Sequence, residues 1–329
     1  MQQPTLVREL TESDILARIL ARTGRASAAR VGPGDDAAVV QTSGSVVVTT
    51  DTLIEGPDFR RAWSSGYDLG WKACAVNLAD VAAMGARPTA LVVALGLPGD
   101  LPIADVEAMA DGFREACEAL APGCAVVGGD LTQSAALTIA VTALGDTEGR
   151  EPVLRSGAAA GEVVALAGEM GQAAAGLRVL FSRFCDEAGR ATPLDRAELA
   201  SEEDRLVAAQ LRPQPPVGLG PFAARGGATA MMDVSDGLAR DAGRLARASG
   251  VALDLDARAL GPDPQAALAG GEDHALLATF PEGALPPGFR AIGRVVAAGA
   301  SEVLVDGQPH AGGSGWDPYR DWASGAAPA

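Results

Sequence analysis

Thr229-Ala230-Met231-Met232-Asp233-Val234-Ser235-Asp236-Gly237-Leu238 shows the local order of elements on which the chain is built. A short apolar run, read as a strand over 229–232, leads into two acids and a glycine. A helix over 238–248 follows. The same order of strand and then acid stands at Val46-Val47-Val48-Thr49-Thr50-Asp51, and at 124–127 followed by Gly128-Gly129-Asp130. Further strands are expected over 89–97, 137–144, 163–167, 251–255, 275–280 and 291–295. Helices are expected over 12–23, 69–85 and 103–120, the last from its stripe of Ile103, Val106, Met109, Phe113, Cys117 and Leu120. The segment 213–221 reads as a loop, and the tail beyond Trp322 as frayed. Strands and helices mix in both halves, which predicts an α/β protein of mixed sheets packed by helices. Polar, glycine-rich sequence around 145–161 divides it into domains 1–148 and 149–329. No period of repeat length recurs.

The chain has 329 residues, long enough for two cores, and with 48% apolar but 4% aromatic residues those cores must be built from Ala, Val and Leu. Its 26 basic and 42 acidic residues leave a charge of −16, which repels nucleic acid and anionic membranes. Lys72 is the only lysine, so neither a phosphate loop with its lysine nor a kinase-type strand lysine exists here. Any phosphate chemistry must rest on arginine and metal. Cys74, Cys117, Cys124 and Cys185 form no C-x-x-C pair, and with only His274 and His310 a zinc site is not expected. Buried thiols, no secretory apolar core near the N-terminus and no membrane-length apolar run predict a cytoplasmic protein.

Six acidic patches lie beside Gly, Ser or Thr: Asp35-Asp36, Thr49-Thr50-Asp51, Asn77 with Asp80, Asp130, Asp233 with Ser235-Asp236, and Gly270-Gly271-Glu272-Asp273. Taken singly, each has a plain structural reading. Asp236 suits a helix N-cap, and Asp35 and Asp36 suit a turn. Taken together, they suit a hard divalent cation such as Mg²⁺, which bridges carboxylates to phosphates. Thr49, Thr50 and Asp51, like Asp130 and Asp233, are expected at strand ends, where α/β sheets bind ligands. Asn77 and Asp80 share one face of an otherwise apolar helix, where an unpaired carboxylate is costly. Arg155 reads equally as an anion clamp or as a surface arginine.

In order and spacing these motifs resemble the thiamine-monophosphate kinases. The resemblance runs from about Gly32 to Tyr319 and includes Arg155-Ser156-Gly157 and Asp233-Val234-Ser235-Asp236-Gly237. It implies a two-domain fold like that of aminoimidazole ribonucleotide synthetase, a homodimer built on the N-terminal domains, and ATP with Mg²⁺. It further implies that Asp36, Thr49, Thr50, Asp51, Asp80, Asp130, Asp233 and Asp236 bind metal. Gly129, Asp130, Arg155 and Ser235 would bind ATP, and Asp58, Glu272 and Tyr319 would lie near thiamine monophosphate. Asp51, Asp130 and Asp236 would serve catalysis. Three positions depart from the family pattern: Asp58 replaces a histidine, Gln133 an arginine and His274 a tyrosine.

The reaction implied is in-line phosphoryl transfer from ATP to the phosphate of thiamine monophosphate. The acceptor oxygen is already ionised, so positioning and charge neutralisation suffice without a strong base. Other readings are a different ATP-using enzyme of that fold, of the aminoimidazole ribonucleotide synthetase or selenide water dikinase type, and a non-catalytic Mg–nucleotide binder.

Overall fold

A computed structural model describes residues 4–312 and Gly315. The chain forms two compact units. The first comprises Met1–Val81, Arg87–Arg150 and Arg183–Asp195; the second comprises Ala82–Ala86, Glu151–Ser182 and Arg196–Ala329.

The first unit holds α1 (Glu12–Leu20), a small antiparallel pair β1 (Ala29–Val31) and β2 (Val39–Val40), and β3 (Val46–Ile54). Then come α2 (Gly66–Ala83), β4 (Arg87–Leu97), α3 (Ile103–Leu120), β5 (Val126–Gln133) and β6 (Thr138–Asp146). Its sheet runs β3-β6-β4-β5, antiparallel except for the parallel β4–β5 pair. One face, with Leu91, Val93, Leu95, Ile139 and Val141, is buried. The opposite face leaves Val48 60% and Val46 49% exposed. Glycines let α2 and α3 touch backbone to backbone: a Cβ on Gly70 would lie 2.0 Å from the Met109 carbonyl oxygen. The helix expected over 103–120 forms with those bounds.

The second unit holds β7 (Val163–Ala167), α4 (Gln172–Arg183), α5 (Ser201–Leu211), α6 (Leu219–Arg225), β8 (Ala230–Val234) and α7 (Leu238–Ser249). These are followed by β9 (Val251–Leu255), α8 (Pro264–Ala269), β10 (Ala275–Phe280), β11 (Arg290–Ala297), β12 (Val303–Val305) and β13 (Gln308–Pro309). Its seven-stranded mixed sheet has the order β13-β12-β9-β11-β7-β10-β8. Leu238, Ala242, Leu245 and Ala246 of α7 pack into a core with Val164, Leu166 and Met232. The loop expected over 213–221 ends early, because α6 starts at Leu219 and takes in Pro221. Proline is tolerated there because it stands in the helix's first turn.

β8 and β10 are antiparallel neighbours, with Val234 opposite Ala275. The segment leaving β8, residues 235–237, therefore lies beside the segment entering β10, residues 270–274. This pairing assembles the acidic loops of the second unit.

Candidate active site

In the first unit Thr49, Thr50 and Asp51 occupy the middle of β3, not its end. The Val run does not stop the strand, because threonine is itself a good strand former. Strand alternation then separates the three. Thr49 Oγ1 donates to Asp80 Oδ2 at 2.8 Å, and the Asp51 N–H donates to Asn77 Oδ1 at 3.2 Å. Asn77 is buried and donates to the Ala73 carbonyl at 2.9 Å. One face of α2 thus presents Asn77 and Asp80 to the edge strand. The Thr50 hydroxyl instead donates to the Val141 carbonyl at 2.8 Å, beside Thr142.

Asp130 is also inside its strand, paired in register with Ala94. β5 and β3 are opposite edges of the sheet, three strand spacings or about 14 Å apart. The register puts Asp130 on the face of Thr50, not that of Thr49. The sheet therefore gathers Thr49, Asp51 and Asp80 but not Asp130. Gly129 packs tightly, since a Cβ there would meet the Val93 carbonyl oxygen, whereas Gly128 faces open space. Asp36 is exposed in its turn, its N–H bonded to Asp35 Oδ1 at 2.9 Å. Asp58 accepts the Ile54 N–H at 2.7 Å and closes the turn after β3. A short carboxylate does this well, which gives the residue a structural role here.

In the second unit Asp233 is buried, with Oδ2 3.2 Å from His274 Nδ1. An imidazole at this position thus partners a buried carboxylate directly. Asp236 is no N-cap: the cap of α7 is Gly237, at φ 124°, without a side-chain bond. The Asp236 carboxylate turns to Arg244, 2.7 Å away, and to Arg240 at 3.7 Å. The loop's backbone is held by Asp241, whose Oδ2 accepts the N–H groups of Ser235 at 3.1 Å and Asp236 at 3.0 Å. Burial pushes the Asp241 carboxyl up to about 6; the Arg244 cation opposes this, while the charges of Asp233 and Asp236 add to it.

Glu272 adopts a left-handed φ of 66° and accepts a 2.6 Å bond from Gln210 Nε2. Its N–H is bonded to the Ser235 carbonyl at 2.8 Å, tying the two acidic loops together. No side chain fits at Gly271, where a Cβ would lie 2.4 Å from that same carbonyl oxygen. Asp273 accepts N–H bonds from Gly171 at 2.7 Å and Ala173 at 2.9 Å, at the start of α4. Burial still dominates and lifts its carboxyl to about 6. Arg155 is exposed, and its carbonyl accepts the hydroxyl of Ser249, the last residue of α7, at 2.9 Å. Ser235 precedes the first turn of that 12-residue helix, so the two are separated by its length of about 18 Å. Tyr319 lies outside the described residues.

Asp241, Arg244 and Gln210 escaped the sequence reading. A signal existed for Asp241: it stands on the apolar stripe of α7 among Leu238, Ala242 and Leu245. Among the described residues no three Asp, Glu, His or Cys side chains stand close enough to cage a metal ion. The donors present are hard carboxylate and hydroxyl oxygens. They fit Mg²⁺, which takes one or two carboxylates and leaves its other positions to water and phosphate.

The family model described as AIR synthase related protein, N-terminal domain, matches residues 34–147. A thiamine-monophosphate kinase of Mycobacterium tuberculosis is 43% identical over 336 residues, covering 97% of this chain and 95% of its own. The chain belongs to the thiamine-monophosphate kinase family. Solved members share its fold. The thiamine-monophosphate kinase of Stenotrophomonas maltophilia K279a aligns with TM-score 0.73 at 33% identity, over 91% of this chain and 96% of that one. AaThiL complexed with AMPPCP and TMP aligns with TM-score 0.73 at 32% identity, over 96% and 99%. The α/β architecture of mixed sheets expected from the sequence is the architecture of this family.

Proposed function

We propose that the chain transfers the γ-phosphoryl group of ATP to the phosphate of thiamine monophosphate, giving thiamine diphosphate and ADP. Kinship to thiamine-monophosphate kinases over 97% of the chain carries this reading. The bond from Pγ to the β,γ-bridging oxygen breaks as one forms from Pγ to an acceptor phosphate oxygen, in line and without a phosphoenzyme. No proton must leave that oxygen, so the side chains act by holding and orienting.

In the first unit the residues to hold Mg²⁺ are Thr49, Asp51 and Asp80 on one face of the sheet, Thr50 and Asp130 on the other, and Asp36. In the second they are Asp233 and Asp236. When bound, the cation supplies charge neutralisation at the phosphate oxygens. Asp51, Asp130 and Asp236 are the carboxylates we assign to catalysis; Asp51 and Asp130, on opposite faces of the first unit's sheet, would hold separate cations. Gly129, Asp130, Arg155 and Ser235 would position ATP. Asp58, Glu272 and Tyr319 would meet thiamine monophosphate, with Gln210 fixing the Glu272 carboxylate opposite a cationic ring.

Residues 1–148 serve as the ATP, Mg²⁺ and dimerisation domain, and 149–329 as the second α/β domain. A homodimer is supported by the sheet face of the first unit on which Val46, Val48, Ile54 and Val92 are exposed; Thr50 and Asp130 share that face, so they would lie at the dimer seam. Four free thiols suit a reducing cytoplasm. The test is to incubate purified protein with ATP, MgCl₂ and thiamine monophosphate and resolve the products by chromatography. One thiamine diphosphate per ADP supports the reading; unchanged thiamine monophosphate, with ATP merely bound or hydrolysed, overturns it.

A further inference from the structure

Arg244 divides its guanidinium between two carboxylates. Nη2 lies 2.7 Å from Asp236 Oδ2, and Nη1 donates to Asp241 Oδ1 at 2.7 Å. The same Asp236 oxygen also faces Arg240 Nε at 3.7 Å. Asp241 has no exposed surface, and its second oxygen holds the N–H groups of Ser235 and Asp236. The post that anchors Arg244 therefore also shapes the loop that carries Asp236. The ion pair itself is within reach of solvent, with Arg244 34% and Asp236 25% exposed at the side chain.

We infer that Arg244 is a resident counter-cation of Asp236 that competes with a divalent cation for its charge, and that Asp241 is a positioning residue that sets how readily it leaves. This rests on the reading of Asp236 as a cation ligand. Like charges repel across the shared carboxylate, so a metal ion on either Asp236 oxygen competes with the guanidinium on Oδ2. Before a cation arrives, Arg244 relieves the repulsion between Asp236 and Asp241. When one binds, Asp241 retains half of the fork, so the guanidinium can let go of Asp236 without losing every partner. Arg suits this role because its planar fork serves two acceptors at once, which an ammonium group cannot do with the same geometry.

The test is Mn²⁺ binding to the full chain without nucleotide, followed by electron paramagnetic resonance. Asp236→Asn loses the tightest site if Asp236 is a ligand. Arg244→Met removes the competitor and tightens that site about fivefold. That corresponds to just under 1 kcal/mol, the size of a partly exposed ion pair. Asp241→Asn keeps an oxygen for the loop N–H groups but turns an amide N–H₂ toward Arg244. The guanidinium then falls wholly to Asp236, and Mn²⁺ binding weakens about fivefold. Opposite shifts support the inference, since loss of a merely structural network moves both variants the same way. Parallel shifts or none overturn it while the ligand reading stands. An unchanged Asp236→Asn removes the ligand reading and the inference together. Should Asp241→Asn not fold, Arg244→Lys replaces it. An affinity between wild type and Arg244→Met then supports the inference, and any other overturns it.

Discussion

Replacing Asp273 by asparagine should change the pH dependence of stability in a direction fixed by its surroundings. The folded carboxyl is lifted from 3.8 to about 6 because burial outweighs its two N–H bonds. A raised carboxylate contributes stability that is complete below the unfolded pKa and lost as pH rises through the folded one. Between pH 4 and 7.5 this shift takes roughly 2 kcal/mol from the wild type, and the asparagine variant is spared that loss. The variant carries a pH-independent cost of its own. Its single oxygen can accept from Gly171 or Ala173 but not both with full geometry, about 1–3 kcal/mol. Urea melts of both proteins at several pH values isolate the difference, since every other titrating group is common to the pair. The stability of Asp273→Asn relative to wild type should improve by roughly 2 kcal/mol from pH 4 to 7.5. A flat difference, or one that runs the other way, would show that this carboxyl is not raised by burial.

Two further substitutions test the first unit. Gly70→Ala forces a methyl against the Met109 carbonyl, 2.0 Å from an ideal Cβ, and should cost about 1–3 kcal/mol in thermal or urea unfolding. An unchanged melt would mean that α2 and α3 are not in backbone contact. Val48→Asp puts a charge on the uncovered sheet face, where Val48 is 60% exposed. Sedimentation should find wild type as a dimer and the variant as a monomer, and a dimeric variant would count against that face as the interface.

Much of the architecture could be read from periodicity. Ile103–Leu120 repeats its apolar residues at helical spacing, and the run from Thr229 to Leu238 gave β8 and the start of α7 in order. Strand limits were less legible. Asp51 and Asp130 were expected at strand ends but sit within β3 and β5, because hydrogen bonding to β6 and β4 continues the strands past their apolar runs. The separation of Asp51 from Asp130 could not be read at all. It follows from the strand order β3-β6-β4-β5, which no local pattern encodes. α4 and α5 were missed because their alanines and arginines give only weak stripes. The face shared by Asn77 and Asp80 was legible, and both side chains do reach β3. The bond of Asp241 to a loop five and six residues earlier was hidden, because it depends on how Gly237 turns the chain into α7.

We propose that carboxylates on this scaffold organise phosphoryl transfer. Thiamine diphosphate formation with Asp51→Asn, measured beside thermal unfolding of the same sample, decides the point. The substitution keeps the shape of an exposed strand residue and removes one charge. Turnover should fall about a hundredfold or more with a nearly unchanged melting point. Turnover close to wild type in a folded Asp51→Asn protein would contradict it.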